Sequence, residues 1–130
     1  MFVFEDYVGF ETAKLLKEKG FDWIVEKCFL EHKNYYVPCD PSEIQRKDRK
    51  DAIAIPTIQM AMKWLREVYK VIPIILTGGD SQNPFYYWFR IDTVKEGRWE
   101  DAVYREDEKE FPTYEEACEA AIKYCLENLV

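Results

Sequence analysis

The sequence predicts an α+β fold, with an antiparallel sheet of about five strands and three main helices packed on it in the order αββαβββα. Three segments place apolar residues at helical spacing, and the runs between them are rich in β-branched and aromatic residues. Those runs are joined by connections short enough for hairpins, which only antiparallel neighbours allow. At 130 residues the chain is expected to be a single α+β domain, 1–130, able to bury a core without a metal or a disulfide.

The first helix is expected over about Phe10 to Lys19, with Gly9 as N-cap and Glu11 in the first turn, where the helix dipole favours an acid. Phe10, Ala13, Leu15 and Leu16 form its apolar stripe. Gly20 suits the left-handed position after the helix, and Phe21 then falls where it touches Leu16. Trp23 to Leu30 and Tyr35 to Val37 read as a hairpin joined by the four residues Glu31 to Asn34. Asp40-Pro41-Ser42-Glu43 has the form of a helix start, but the residues after it lack an apolar stripe, so a short exposed helix and a charged loop both fit.

Pro56-Thr57 opens the clearest amphipathic helix, with Ile58, Ala61, Met62, Leu65, Val68 and Tyr69 on one stripe, and Pro73 is expected to end it. Ile74-Ile75-Leu76 follows as a short strand whose early proline suggests an edge or a strand start. Gly78 to Pro84 is a loop of turn formers. Phe85 to Val94 alternates strictly: Phe85, Tyr87, Phe89 and Ile91 face the expected core, and Tyr86, Trp88, Arg90 and Asp92 face away. Lys95-Glu96-Gly97 turns the chain into a partner strand over Trp99 to Tyr104. Thr113-Tyr114-Glu115-Glu116 is a capping box opening a last helix, with Tyr114, Ala117, Cys118, Ala121, Cys125 and Leu129 on its core side. Lys14 to Glu18 and Lys63 to Glu67 match in residue type, a hint of repetition resting on common helix residues.

The GFETAKLLKEKGFD, PTIQMAMKWLREV and TYEEACEAAIKYCLENLV segments resemble an uncharacterised family of small proteins common in gut bacteria and in their phages and mobile elements. The resemblance spans about a third of the chain and implies a cytoplasmic protein that travels with mobile DNA, with no activity, cofactor or catalytic residue attached. The stretches Cys39 to Ala54 and Gly78 to Pro84 lie outside it.

Composition narrows the functions. The chain is 48% hydrophobic and 33% charged, the balance of a folded globule, and it has no apolar run long enough for a bilayer. MFVFEDYVGF has neither a basic start nor a small-residue cleavage site, so no signal peptide is expected. Net charge is −7, and Glu100 to Glu119, with nine acids and two bases, holds all of it. That window repels phosphate, and the one basic cluster, Arg46 to Lys50, reads as a solvated loop, so nucleic acid is not the expected partner. The four cysteines have no CxxC spacing, and a reduced setting is expected for them.

Catalytic chemistry finds little support. The single histidine, His32, has Cys39 as its one plausible thiol partner, and nothing in the sequence lowers the pKa of that thiol. Ser81 lacks the elbow motif of a nucleophilic serine, and Gly78-Gly79 is too short to cradle a phosphate. Four scattered cysteines and one histidine lack metal-ligand spacing. The carboxylate pairs Glu115/Glu119 and Glu100/Asp101 read as solvated acids. No catalytic, cofactor or metal residue is therefore assigned.

One feature stands out from ordinary core. Tyr86, Trp88 and Arg90 share the second face of the best strand, and Trp99 or Tyr104 is a candidate to join them across the hairpin. Left uncovered by helices, this face would be an aromatic patch of the kind that anchors protein interfaces. The leading expectation is a non-enzymatic interaction or accessory module that binds a protein partner or a second copy. The alternatives are a nucleic-acid-associated domain, from the helix, three-strand, helix order of the C-terminal half, and, last, a small enzyme using carboxylates.

Overall fold

The computed structural model describes residues 6–31, 33–38, 52–82 and 85–130, with backbone alone over 101–109. His32, Cys39, Ser42, the basic cluster and the helix or loop expected after Asp40 lie outside the described residues. The fold class is α+β, with two antiparallel sheets and three helices. Six described strands, three in each sheet, replace the expected single sheet of about five. The chain divides into two compact units, Met1–Met60 and Ala61–Val130.

In the first unit, α1 (Phe10–Glu18) starts after Gly9 and buries Thr12, Ala13 and Leu16. Its end follows the expected geometry. Gly20 takes φ +96°, Phe21 N–H donates to the Leu16 carbonyl at 2.9 Å, and Gly20 N–H donates to that of Lys17 at 3.1 Å. Strands β1 (Lys27–Leu30) and β2 (Tyr35–Pro38) form the expected hairpin, with Leu30 opposite Tyr35 and Asn34 left-handed in the connection. The third strand, β3 (Ala52–Ala54), was not expected. It pairs with β1 to give the order β2-β1-β3, a contact between distant segments that a strand of three residues does not announce. Lys17 Nζ donates to the Ala52 carbonyl at 2.8 Å, tying α1 to β3. Residues 6–8 run beside 56–58: Val8 N–H donates to the Pro56 carbonyl and Ile58 N–H to that of Asp6.

Thr57 caps α2 (Ile58–Trp64), its hydroxyl accepting from Met60 N–H at 3.2 Å. The chain then widens into a π-helical turn, Leu65–Tyr69, which brings Tyr69 edge-on to Trp64, with ring centroids 5.2 Å apart. Lys70 ends this segment in the left-handed region at φ 58°. The helix therefore stops before Pro73, contrary to expectation, and Pro73 lies inside strand β4 (Val71–Gly78).

Strands β4, β5 (Tyr86–Lys95) and β6 (Arg98–Phe111) form a meander in that order. The Glu96-Gly97 turn, with φ of 52° and 74°, is the tight hairpin turn whose twist matches the strands it joins. Strand β6 runs further than expected and carries two register shifts against β5. Helix α3 (Tyr114–Asn128) is capped by the Thr113 hydroxyl, which accepts from Glu116 N–H at 3.1 Å. It packs on the meander and buries Ala117, Cys118, Ala121, Ile122, Cys125 and Leu126, while Leu129 is only half-buried. The two sheets differ in strand order, so the units are not copies of one topology.

Cys28 is disulfide-bonded, a departure from the reduced state expected of a chain with no paired-cysteine spacing. Pairing depends on which sulfurs the folded strands bring together, and linear spacing carries no record of that. Cys118 and Cys125 are free and buried.

Candidate interaction face

Alternation along β5 sorts its side chains onto two faces. One face meets α3: Phe89 and Ile91 are buried, and Tyr87 stands edge-on to Tyr114 at 6.2 Å. The other presents Tyr86, Trp88 and Arg90, opposite Gly78, Leu76 and Ile74 of β4. All six of these residues are half-buried, so α3 leaves this part of the sheet incompletely covered. Cover increases along the strand, and Asp92 is fully buried.

Tyr86 and Trp88 pack together, with centroids 5.5 Å apart and planes tilted by 39°. Beneath them, Gly78 lets the indole lie against the β4 backbone. A Cβ at Gly78 would stand 2.7 Å from Cζ3 of Trp88 and 2.9 Å from its Cη2. An aromatic ring closing over a strand glycine in this way shields backbone that glycine alone leaves bare.

Arg90 holds its Nε 3.3 Å from Oδ1 of Asp92, two residues along the same face. The Arg90 side chain is 37% exposed and that of Asp92 is 0% exposed, so the guanidinium offsets a buried carboxylate while keeping one side toward water. The charge on this face is thereby largely internal.

The remaining candidates sit elsewhere. Trp99 is 55% exposed and lies opposite Val94, six residues along β5 from Trp88, a separation of roughly 20 Å. Tyr104 is in backbone register with Ile91, a position of the opposite parity to Trp88, and its side chain lies outside the described residues. The structure thus groups Tyr86, Trp88 and Arg90 and sets Trp99 apart. Phe85 corrects an expectation: instead of joining the core it is 62% exposed and stacks edge-on to Tyr87 at 5.1 Å. Phe85, Tyr87 and Tyr114 form an aromatic row on the α3 side at the start of β5, whereas Ile74 and Leu76 extend the Tyr86 and Trp88 face across β4. The unbroken Phe85 to Phe89 aromatic run was the signal for the row. The β4 partners required knowledge of strand register.

Glu100 and Glu110 of β6 and Glu115 and Glu116 in the first turn of α3 are exposed, so these members of the acidic window present carboxylates to solvent. Ser81 is exposed in a turn where Asp80 Oδ1 accepts from Gln82 N–H at 2.8 Å. Burial pushes the Cys118 thiol up to about 11, against a lowering hydrogen bond with Tyr114 and aided by Glu115 and Glu119. Burial likewise pushes Cys125 up to about 12. Neither thiol is a nucleophile near neutral pH.

Among the described residues, no three His, Cys, Asp or Glu side chains are placed to hold a metal ion, and no helix is long and apolar enough to cross a membrane. No protein-family model, curated protein or solved structure matches the chain.

Proposed function

We propose that this protein is a non-enzymatic interaction or accessory module that docks a basic protein partner on the Tyr86, Trp88 and Arg90 face. The observation that carries this reading is the half-exposed Trp88, packed against Gly78 and flanked by half-exposed Tyr86, Ile74 and Leu76. A rigid aromatic anchor within an apolar surround is the usual make-up of an interface centre. The acidic window Glu100 to Glu119, with Glu100, Glu110, Glu115 and Glu116 exposed, would steer a partner of opposite charge, and the same −7 opposes self-association. Origin in phages or mobile elements, implied by the resemblance of three segments, belongs to this proposal, as does a cytoplasmic location. The Cys28 disulfide weighs against the latter, because such bonds persist chiefly in oxidising compartments.

Affinity capture from nuclease-treated lysate tests the reading, comparing the wild-type chain with folded Trp88→Glu. Support would be a basic protein that is retained by the wild type, lost with Trp88→Glu, and released progressively as salt rises. Partners indifferent to Trp88, or no basic partner, would overturn it.

The nucleic-acid alternative retains one observation in its favour, the order α2, β4, β5, β6, α3 with α3 on one sheet face. Against it, α3 opens with Glu115 and Glu116, where a phosphate-binding helix start needs bases. Salt-sensitive retention of the chain on RNA or heparin would favour this alternative.

A further inference from the structure

Lys27 places its ammonium between two tyrosines, 4.5 Å from the ring centroid of Tyr7 and 4.4 Å from that of Tyr36. Each distance lies within the range at which a ring face attracts a cation. The two walls are held by contacts that do not involve the Lys27 side chain. Tyr36 is braced edge-on by Phe29 at 5.0 Å, and Phe29 in turn by Phe10 of α1 at 4.7 Å. Tyr7 is fixed by its bridge to Thr57 and by the backbone bonds of its neighbours, Val8 to Pro56 and Ile58 to Asp6. Ile55 N–H donates to the Lys27 carbonyl at 2.8 Å, which draws that segment alongside β1.

The rings remain open to solvent, Tyr7 at 37% and Tyr36 at 50%. Exposed acids, Asp6 and Glu26, adjoin Tyr7 and Lys27 in the chain, so the surroundings favour cations over anions. Lys27 forms no ion pair among the described residues. Among the described residues its ammonium is held by ring faces alone, and as a strongly hydrated group it gives up water at a cost. A quaternary ammonium is less hydrated and presents methyl groups to both rings, which is the chemistry aromatic cation sites select.

We propose that Tyr7 and Tyr36 form a seat for a quaternary ammonium ligand, filled in the free protein by the chain's own Lys27. Lys27 acts as a tethered competitor: it lowers the fraction of protein with an open seat, and it leaves when a better cation arrives. This site lies in the first unit and is independent of the Trp88 face.

The test uses the full chain, with tetramethylammonium as probe and its N-methyl proton resonance as readout. Lys27→Gln keeps the first two methylenes of the stem and removes the charge. It should shift the probe upfield saturably, whereas the wild type should need about tenfold more probe, as an open fraction near one in ten requires. Adding Tyr36→Leu to Lys27→Gln should abolish the shift. Choline and Nε-trimethyl-lysine, compared in the same assay, distinguish a headgroup or small molecule from a protein side chain by which binds tighter. Absence of saturable binding to folded Lys27→Gln, equal affinity in the wild type, or binding that survives Tyr36→Leu would overturn the proposal. Should Lys27→Gln fail to fold, the wild type decides. Its Lys27 ε-methylene protons should resonate upfield of the other lysines and return toward them as the probe saturates, and a resonance unmoved by the probe overturns the proposal.

Discussion

The indole of Trp88 rests on the backbone of Gly78, so closely that a single added methyl group would stand 2.7 Å from it. Gly78 is not in the left-handed region, so the requirement for glycine here is one of space alone. Gly78→Ala is therefore expected to displace the ring and destabilise the fold by about 1–3 kcal/mol, the usual cost of overpacking. A denaturant titration measures the loss, and a shift in tryptophan emission reports the displaced ring. Unchanged stability would mean that the indole moves aside freely and is not the rigid anchor described above.

Trp88 and Trp99 should behave differently. Trp88→Glu is expected to weaken partner binding by about 2 kcal/mol or more, the range of interface anchors. Trp99→Ser lies far from that group and should leave both binding and stability within about 0.5 kcal/mol of wild type. Calorimetric titration of the captured partner against each variant makes the comparison.

Cys118 and Cys125 yield a prediction about pH. Their ordinary pKa is 9.0, and folding raises it to about 11 and about 12, so the folded state favours the neutral thiols. That contribution to stability is complete below pH 9 and is lost as pH rises through 11 and then 12. Melting temperature should therefore fall on the alkaline side of pH 9. At pH 8 both thiols should resist a thiol reagent in the folded protein and react on unfolding.

Glu96 occupies a left-handed position, φ 52°, in the β5–β6 turn ahead of Gly97. A glutamate has no local means of offsetting that conformation, whereas asparagine adopts it readily. Glu96→Asn is expected to raise stability by on the order of 1 kcal/mol, read as a higher denaturation midpoint at unchanged slope.

Features that depend on a few consecutive residues were legible in the sequence. The end of α1 at Gly20, the Thr113 cap and the four-residue β1–β2 connection are each settled by bonds that span six residues or fewer. The same holds for the alternation that separates Tyr86, Trp88 and Arg90 from Tyr87, Phe89 and Ile91. Pro73 misled because its effect on the preceding residue is permissive: a strand tolerates it, and the left-handed Lys70 had already ended the helix.

Other features needed the folded chain. The third strand of the first sheet rests on β3 pairing with β1 across a long stretch of sequence. The exposure of Phe85, the burial of Asp92 and the distance from Trp88 to Trp99 depend on register and on which elements cover each face. The Tyr7, Lys27 and Tyr36 seat joins three segments whose meeting no local pattern encodes. By itself the sequence determined the three helices, the two hairpins, some of their ends and the acidic window, because those follow from short-range sterics, hydrogen bonding and charge. Which side chains share a surface was decided by tertiary structure, because closing long loops commits entropy that only the whole set of packed contacts offsets.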